Sequence, residues 1–511
     1  MSNKAFGAIR AFLWPVHREE HKKFIPMLLI SFLVCFNYYL LRIVKDAVII
    51  TAPESGAEAL PFIKVWAILP AAVLMTFFFT RLSNLLNRRT IFYAMIWFYI
   101  AYFLVFTLYL YPNRDALHPN AFADSLQAIL PKGFRGFIAI IRNWTFTTFY
   151  VMSEMWSTMI MTILFWGFAN DVTSVKDAKR FYGLFNVGTN LSGVVAGIVA
   201  ARLSTRAFNP SLSFGETGWD QSITLMNLLI IGTSIACMAL YWWLNRQGLG
   251  YTDETLKAHR DSPMKLGMRK SFAALAQSKY LTCIAILVIT FNIVMNLAEV
   301  VWKDQVKSLH PDPATFNAYM ADVNFWIALI AALVSLFISG NLIRTLGWTK
   351  SALIAPIFTL VTGVLFFAAL LLPDKSIAGI CAMVGTSPVA LAVFLGSLQT
   401  CIVRGTKYSL VDSTKEMAFI PLSQEARLKG KAAIDGIGSR LGKSGGSLMY
   451  QFLLLTFGSI VGSIPVVAFL LLIAIGGWIL AVKTLGRQFN QLTSEQPTEE
   501  PKKEDAVLTP S

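Results

Sequence analysis

The sequence predicts an all-α integral membrane protein with about twelve transmembrane helices in two halves of six. First, 55% of its 511 residues are hydrophobic and only 14% are charged, whereas soluble domains carry about 25% charged residues. Second, apolar runs such as "IFYAMIWFYIAYFLVFTLYLY" are long enough to cross about 30 Å of hydrocarbon. Third, tracts of the first half reappear about 250 residues later in the chain.

Hydropathy places the predicted spans in chain order. They lie at 24–44, 60–80, 91–111, 136–166, 181–201, 221–244, 281–301, 319–343, 351–372, 377–400, 432–459 and 463–482. The fourth is long and contains many polar residues, so we expect it to be tilted or kinked.

The distribution of Lys and Arg along the chain indicates its orientation in the membrane. With the N-terminus in the cytoplasm, 30 of the 44 Lys and Arg fall in cytoplasmic segments and 8 in the opposite loops. Positive residues are enriched on the cytoplasmic side of membrane proteins. The sequence therefore predicts a multi-pass membrane protein with both termini in the cytoplasm. The same bias accounts for most of the +15 net charge, so no nucleic-acid partner is expected.

Two pairs of tracts suggest an internal duplication. "FNYYLLRIVKD" at 36–46 resembles "FNIVMNLAEVVWKD" at 291–304, and "KRFYGLFNVGTNLSG" at 179–193 aligns with "KGKAAIDGIGSRLGKSG" at 429–445. Parallel repeats of six helices are typical of the major facilitator architecture, which binds substrate at the midplane between the halves. The expected parts are a cytoplasmic N-terminus (1–23), a first half (24–244), a cytoplasmic linker (245–280), a second half (281–482) and a disordered cytoplasmic tail (483–511).

Ten charged residues lie at or inside the ends of predicted spans, where charge is costly and usually faces a cavity or a partner. They are the cations Arg42, Lys45, Lys64, Arg142, Arg440 and Lys443 and the anions Asp46, Glu154, Glu299 and Asp435. The excess of cations suits an anionic substrate, and guanidinium and ammonium groups suit phosphate. We therefore assign substrate binding to the six cations together with Glu154 and Glu299, and a gating or ion-pair role to Asp46 and Asp435. The alternative is that the charges pair with one another as gates or packing elements.

The stretch "GIGSRLGKSGG" at 436–446 resembles a phosphate-binding P-loop. A P-loop needs four residues between its first Gly and the Gly-Lys-Ser triplet and follows a β-strand. Three residues lie between Gly438 and Gly442, five lie between Gly436 and Gly442, and no strand pattern precedes them. We therefore interpret the stretch as a helix whose small residues permit close packing and whose Arg440 and Lys443 project into a cavity.

Several tracts together resemble the ATP/ADP translocase family, the nucleotide transporters of obligate intracellular bacteria and plant plastids. The likeness covers nearly the whole chain and is greatest to chlamydia-type members. The tracts include "SGAEALPFIKVW", "FADSLQAILP", "RNWTF", "FWGFAND", "VDSTKEMAFIPL", "KGKAAID" and "GKSGG". The resemblance implies twelve spans, a facilitator-like fold, and exchange of host ATP for bacterial ADP plus phosphate. It implies functional charges at Lys64, Glu154, Glu299 and Lys443, and a location in the bacterial inner membrane.

One tract departs from the family. Members that exchange ATP for ADP tend to read "LRDTKD" after the first-span Asn-Tyr, whereas positions 41–46 here read "LRIVKD". Ile43 and Val44 replace two polar residues beside the basic pair Arg42 and Lys45. The departure keeps an alternative open: a proton-coupled or broad-specificity nucleotide importer that supplies biosynthesis.

Other classes of function fit less well. A membrane phosphoryl-transfer enzyme would need a P-loop, an acidic Mg²⁺ site or a catalytic His, and the sequence shows none of these patterns. The Cys and His residues have no metal-site spacing, so neither a metal nor a cofactor is expected. The predicted partners are nucleotides (ATP, ADP and other nucleoside triphosphates), phosphate or protons, and the lipid bilayer.

Overall fold

Long helices cross the molecule from one end to the other. The computed structural model describes residues 14, 16–250, 278–335, 339–423, 426, 430, 431, 434 and 439–495. The helices of the first half are α1 (His21–Ile50), α2 (Ala59–Leu85), α3 (Arg88–Leu110), α4 (Asn120–Ile129), α5 (Arg135–Arg142), α6 (Trp144–Trp156), α7 (Val175–Ser204) and α8 (Gly218–Arg246). Those of the second half are α9 (Lys279–Leu309), α10 (Pro313–Leu333), α11 (Ser339–Leu371), α12 (Asp374–Val384), α13 (Pro388–Thr406), α14 (Ser439–Phe457) and α15 (Ile460–Glu495).

Polar caps and glycines fix where helices begin and end. Thr217 caps α8 by accepting the backbone N–H of Asp220, whose carboxylate accepts the N–H of Thr217 in return, an arrangement that satisfies two otherwise unpaired donors. Asp312 caps α10 by accepting the backbone N–H groups of Ala314 and Thr315, with Pro313 in the first turn of the helix. At the end of α12, Gly385 adopts a left-handed backbone (φ 70°), which glycine does without steric cost.

Ten helices of the described part of the chain are long and apolar enough to cross a membrane. Helices also occupy the predicted fourth and eleventh spans, as α5 with α6 and as α14, but the count of twelve stays a prediction. The kink expected in the fourth span is present, because Asn143 leaves helical geometry (φ −99°, ψ 47°) between α5 and α6.

Some helices contain wider, π-helical turns. They occur at Ile63–Ile68 within α2, at Ser157–Phe165 directly after α6, and at Lys407–Val411 directly after α13. Such turns are rare and often mark functional positions.

The two halves meet near the end of the bundle that carries the connections 51–58, 205–217 and 310–312, which we call the distal end. There Gln451 of α14 donates to the carbonyl of Pro61 (2.9 Å) and accepts from the Trp66 indole (3.1 Å). Asn317 of α10 donates to the hydroxyl of Ser204 (2.7 Å). These bonds join first-half and second-half helices directly.

Glycines let helices approach closely at two contacts. A Cβ on Gly197 of α7 would lie 2.9 Å from the carbonyl oxygen of Ala321 in α10. A Cβ on Gly442 of α14 would lie 2.8 Å from the Cβ of Asn292 in α9. Both distances are too short for a real side chain, so the packing of α14 on α9 depends on the glycine-rich stretch, as its sequence predicted.

The predicted disordered tail needs correction. Helix α15 continues to Glu495 instead of ending at 482, because its last turns have an apolar face. Leu485 is fully buried, and Phe489 and Leu492 pack against the same cluster. Residues 496–511 lie outside the described part of the chain, as do most of the predicted linker and the first thirteen residues.

Candidate functional site

The first pair of the predicted charges lies within the first half. Lys45 of α1 donates to the Glu154 carboxylate of α6 at 2.7 Å. The ammonium group of Lys45 also lies 3.8 Å from the centre of the Tyr150 ring, which attracts a cation through its electron-rich face. Lys45 is 7% exposed, whereas Glu154 keeps 38% of its side chain exposed. The carboxylate is therefore the accessible partner.

The second pair joins the two halves. Lys64 of α2 donates to the Asn296 side-chain oxygen at 2.6 Å and to Glu299 Oε2 at 3.1 Å, both on α9. Lys64 lies in the π-helical turn Ile63–Ile68. Its helix begins at the distal end, so the lysine reaches α9 about one turn inside the membrane-spanning segment.

Two cations that the sequence analysis did not select complete the cluster. Lys303 of α9 donates to Asp46 Oδ2 at 2.8 Å and to Glu299 Oε1 at 2.6 Å. Arg404 of α13 donates to Glu299 Oε1 at 2.8 Å. Asp46 belongs to α1, so the Lys303–Asp46 pair is a second ionic connection between the halves. It is the more buried one, with the side chains 1% and 3% exposed.

Lys443 and Arg42 lie on helices that border this cluster. Lys443 of α14 has an exposed side chain and interacts electrostatically with Glu154, while its backbone carbonyl accepts from Asn296 (3.2 Å). Arg42 is half-buried and lies about one turn before Lys45 on α1. The Arg440 side chain and Asp435 lie outside the described part of the structure.

Arg142 lies away from the other predicted residues. Its guanidinium donates to Asp124 (2.5 Å), Gln127 (3.2 Å) and Asn120 (3.4 Å). All three acceptors belong to α4, a short helix between the third and fourth predicted spans. Arg142 is 4% exposed and fastens α4 to the bundle.

Direct contacts thus involve five of the ten predicted residues, in two neighbouring groups: Lys45 with Glu154, and Lys64 with Glu299 and, through Lys303, Asp46. Lys303 and Arg404 were missed because hydropathy placed the ends of their spans at 301 and 400. The helices continue to Leu309 and Thr406, so both cations lie within them. One signal for Lys303 was available, since the repeat aligns the Lys-Asp pair at 303–304 with Lys45 and Asp46.

Cations outnumber carboxylates in this cluster. Lys45, Lys64, Lys303, Arg404 and Lys443 face Asp46, Glu154 and Glu299. Charges at this depth strongly favour partners of opposite sign. A net positive site of ammonium and guanidinium groups, supplied by both halves, can hold a polyanion such as a di- or triphosphate.

Known proteins resemble this chain in sequence and in fold. Residues 1–489 match the family model of the TLC ATP/ADP transporters. The chain is 44% identical to ADP,ATP carrier protein 1 of Chlamydia trachomatis, covering 96% of this chain and 92% of that one. It is 40% identical to the chloroplastic ADP,ATP carrier protein 1 of Arabidopsis thaliana, covering 94% and 76%.

Among solved structures, a bacterial homologue of the human lysosomal transporter Spinster superposes with a TM-score of 0.54 at 12% identity, over 93% of this chain and 99% of the other. That likeness concerns the fold alone, which is of the major facilitator type. The family match covers residues 1–489, a range that contains the charged cluster. The chain therefore belongs to the TLC ATP/ADP transporter family.

Proposed function

We propose that this protein exchanges ATP for ADP across a bacterial inner membrane by alternating access. The observation that carries the proposal is the convergence of cations from both halves on one place: Lys64 of the first half and Lys303 and Arg404 of the second reach the same carboxylate. Phosphate groups bound there touch both halves at once, so the halves can close around them.

The positive-inside bias indicates how the bundle is oriented in the membrane. With the termini in the cytoplasm, the distal end faces the periplasm, and the bonds of Gln451 and Asn317 hold that end together. The phosphate cations lie on the inner side of these bonds. We infer that, in this conformation, the site is reached from the cytoplasm and closed to the periplasm.

The departure at Ile43 and Val44 does not add a second candidate function. Both side chains are buried in the hydrophobic core, at 2% and 0% exposure. They contribute packing on α1, while the neighbouring Lys45 and Asp46 make the polar contacts. We therefore assign the base selectivity to residues other than this pair, and we assign no catalytic reaction to the site.

Transport into proteoliposomes tests the proposal. Uptake of labelled ATP is measured into vesicles that are empty or loaded with ADP, with and without a pH gradient, against a panel of unlabelled nucleotides. We expect uptake that requires internal ADP, does not depend on the pH gradient and is inhibited only by adenine nucleotides. Filling of empty vesicles under a proton gradient, or equal competition by other nucleotides, would identify a proton-coupled or broad-specificity importer instead.

A variant pair links the activity to the cluster. Lys64→Gln removes a cation that joins the halves and should reduce exchange at least tenfold. Lys431→Gln removes a lysine that pairs with Glu416 on the surface, where it is 48% exposed, and should leave exchange within about twofold of wild type. Equal loss in both variants would assign the effect to overall charge.

A further inference from the structure

Glu299 receives an unusual number of cationic donors. Its Oε1 accepts from Lys303 (2.6 Å) and from Arg404 (2.8 Å), and its Oε2 accepts from Lys64 (3.1 Å). These cations come from three helices, α9, α13 and α2. By comparison, the hydrogen bonds described for the Glu154 side chain come from Lys45 alone.

The arrangement resembles the coordination of a phosphate more than that of a simple ion pair. Charge-assisted donors from lysine and arginine around several anionic oxygens are the usual means of holding a phosphoryl group. The carboxylate offers two oxygens to three cations, and not all N–H donors of the Arg404 guanidinium find an acceptor. Arg404 Nε is buried and has no hydrogen-bond partner in the described structure, although guanidinium groups commonly bind anions through two parallel N–H bonds.

The position of Glu299 adds a mechanical consequence. Lys64 belongs to the first half, and Glu299 belongs to the second, so their contact is one of two ionic connections between the halves in the described part of the chain. A phosphate that takes over Lys64 from Glu299 therefore removes this connection at the moment it binds. A ligand shifts a conformational equilibrium only through different affinities for the two states, and this exchange of partners supplies such a difference.

We propose that Glu299 is a built-in competitor for the phosphate of the substrate. It neutralises Lys64, Lys303 and Arg404 between transport steps, and the terminal phosphate of ADP or ATP binds by displacing it. Lys303 and Arg404 are accordingly phosphate-binding residues alongside Lys64. The inference rests on the proposed nucleotide exchange and deepens it, because the carboxylate keeps the halves connected until a phosphate arrives.

Neutralising the carboxylate tests this directly. Glu299→Gln keeps the shape of the side chain and removes its charge, so it should bind ADP and inorganic pyrophosphate at least tenfold more tightly than wild type, a difference of about 1.4 kcal/mol. Binding is measured on purified full-length protein by titration calorimetry. Exchange in proteoliposomes should become slower, because the product no longer has a competitor that helps to release it.

The matched control is Asp124→Asn. It also removes one negative charge, but its carboxylate pairs with Arg142 outside the cluster, so its affinities should stay within about twofold of wild type. Equal or weaker binding by Glu299→Gln would overturn the inference and show that the carboxylate positions the cations. Tighter binding of ADP without tighter binding of pyrophosphate would overturn it too, since the competition is for phosphate.

A second variant covers a failure of Glu299→Gln to fold. Glu299→Asp keeps the charge but shortens the side chain by one methylene, which loosens its three contacts, and it should bind pyrophosphate at least threefold more tightly. An unchanged affinity would count against the competitor role. Wild-type protein that neither binds nor exchanges ADP would overturn the proposed function itself, whereas normal wild-type activity with no gain in either variant overturns the inference alone.

Discussion

The ammonium group of Lys303 lies 2.8 Å from the carboxylate of Asp46, and the two side chains are almost completely buried. One belongs to α9 and the other to α1, so the pair connects the first helices of the two halves. In the repeat alignment Lys303 corresponds to Lys45, the immediate neighbour of Asp46. Asp46 of the first repeat thus forms its ion pair with Lys303 of the second repeat.

Removing one partner of this pair should destabilise the protein strongly. Asp46→Asn leaves Lys303 with Glu299 as its remaining acid, and loss of one partner of a buried pair costs about 3–5 kcal/mol. We expect a value near the lower end, about 3 kcal/mol, measured from thermal or denaturant unfolding in detergent. The control is Asp304→Asn, the repeat-equivalent acid, whose side chain accepts only a long bond from Gln305 (3.4 Å) among the described contacts.

Exchanging the two charges should not restore the protein. In Asp46→Lys with Lys303→Asp, the pair is preserved, but the new carboxylate at 303 faces Glu299, which now contacts Lys303 at 2.6 Å. Like charges at that separation repel. Stability and exchange in the double variant should remain at or below those of Asp46→Asn. Recovery to wild-type levels would show that Asp46 and Lys303 act as an isolated pair.

Arg142 should matter for stability and not for nucleotide affinity. Arg142→Gln removes the donors that hold Asp124, Gln127 and Asn120, and hydrogen bonds to charged groups contribute about 1.5–3 kcal/mol each. We expect a lower unfolding temperature and a KM for ADP within about twofold of wild type. A KM raised as much as in Lys64→Gln would place Arg142 in the binding site after all.

The glycine contact between α14 and α9 gives a prediction with an internal control. Gly442→Ala places a Cβ 2.8 Å from the Cβ of Asn292 and 3.1 Å from the carbonyl oxygen of Ile289, so α14 must move away from α9. Gly445→Ala, one turn later, meets nothing within 4 Å and gains helix propensity of up to about 1 kcal/mol. Exchange and thermal stability should fall in the first variant and be unchanged or improved in the second.

Stability should depend on pH through His118, which lies in the distal connection between α3 and α4. Burial lowers the pKa of the His118 imidazole, partly offset by Asp115, and the ring contacts the Thr145 hydroxyl at 2.6 Å. The unfolded chain, with a His pKa near 6.5, then takes up a proton before the folded protein does. Stability from this residue is present above that pH and decreases as the pH falls through it.

The measurement is the unfolding temperature at pH 7.5 and pH 5.5. Wild type should lose more stability over this interval than His118→Gln, which keeps a hydrogen-bonding side chain but does not titrate in the range. Identical losses in the two proteins would show that His118 does not contribute.

Both the helical bundle and much of the charged cluster could be predicted from the sequence, for different reasons. Long apolar runs indicate helices that face lipid, so hydropathy predicted where the helices lie but not the residues at which they end. Lys45, Asp46, Lys64, Glu154 and Glu299 stood out because charge is rare inside apolar runs. Lys303 and Arg404 lie where hydropathy has already fallen, so they were counted as loop residues although helical structure continues to Leu309 and to Ala418. The partner of Arg142 could not be predicted, because α4 approaches it only in three dimensions.

π-helical turns lie beside the charged residues of the cluster. Lys64 lies inside one such turn, Glu154 shortly precedes another, and Arg404 shortly precedes a third. A π turn holds one residue more than an α turn, so its migration along a helix shifts the register of the residues it passes by one position, or about 100°. Each of these helices can therefore turn a charged side chain from one neighbour to another while its backbone stays hydrogen-bonded.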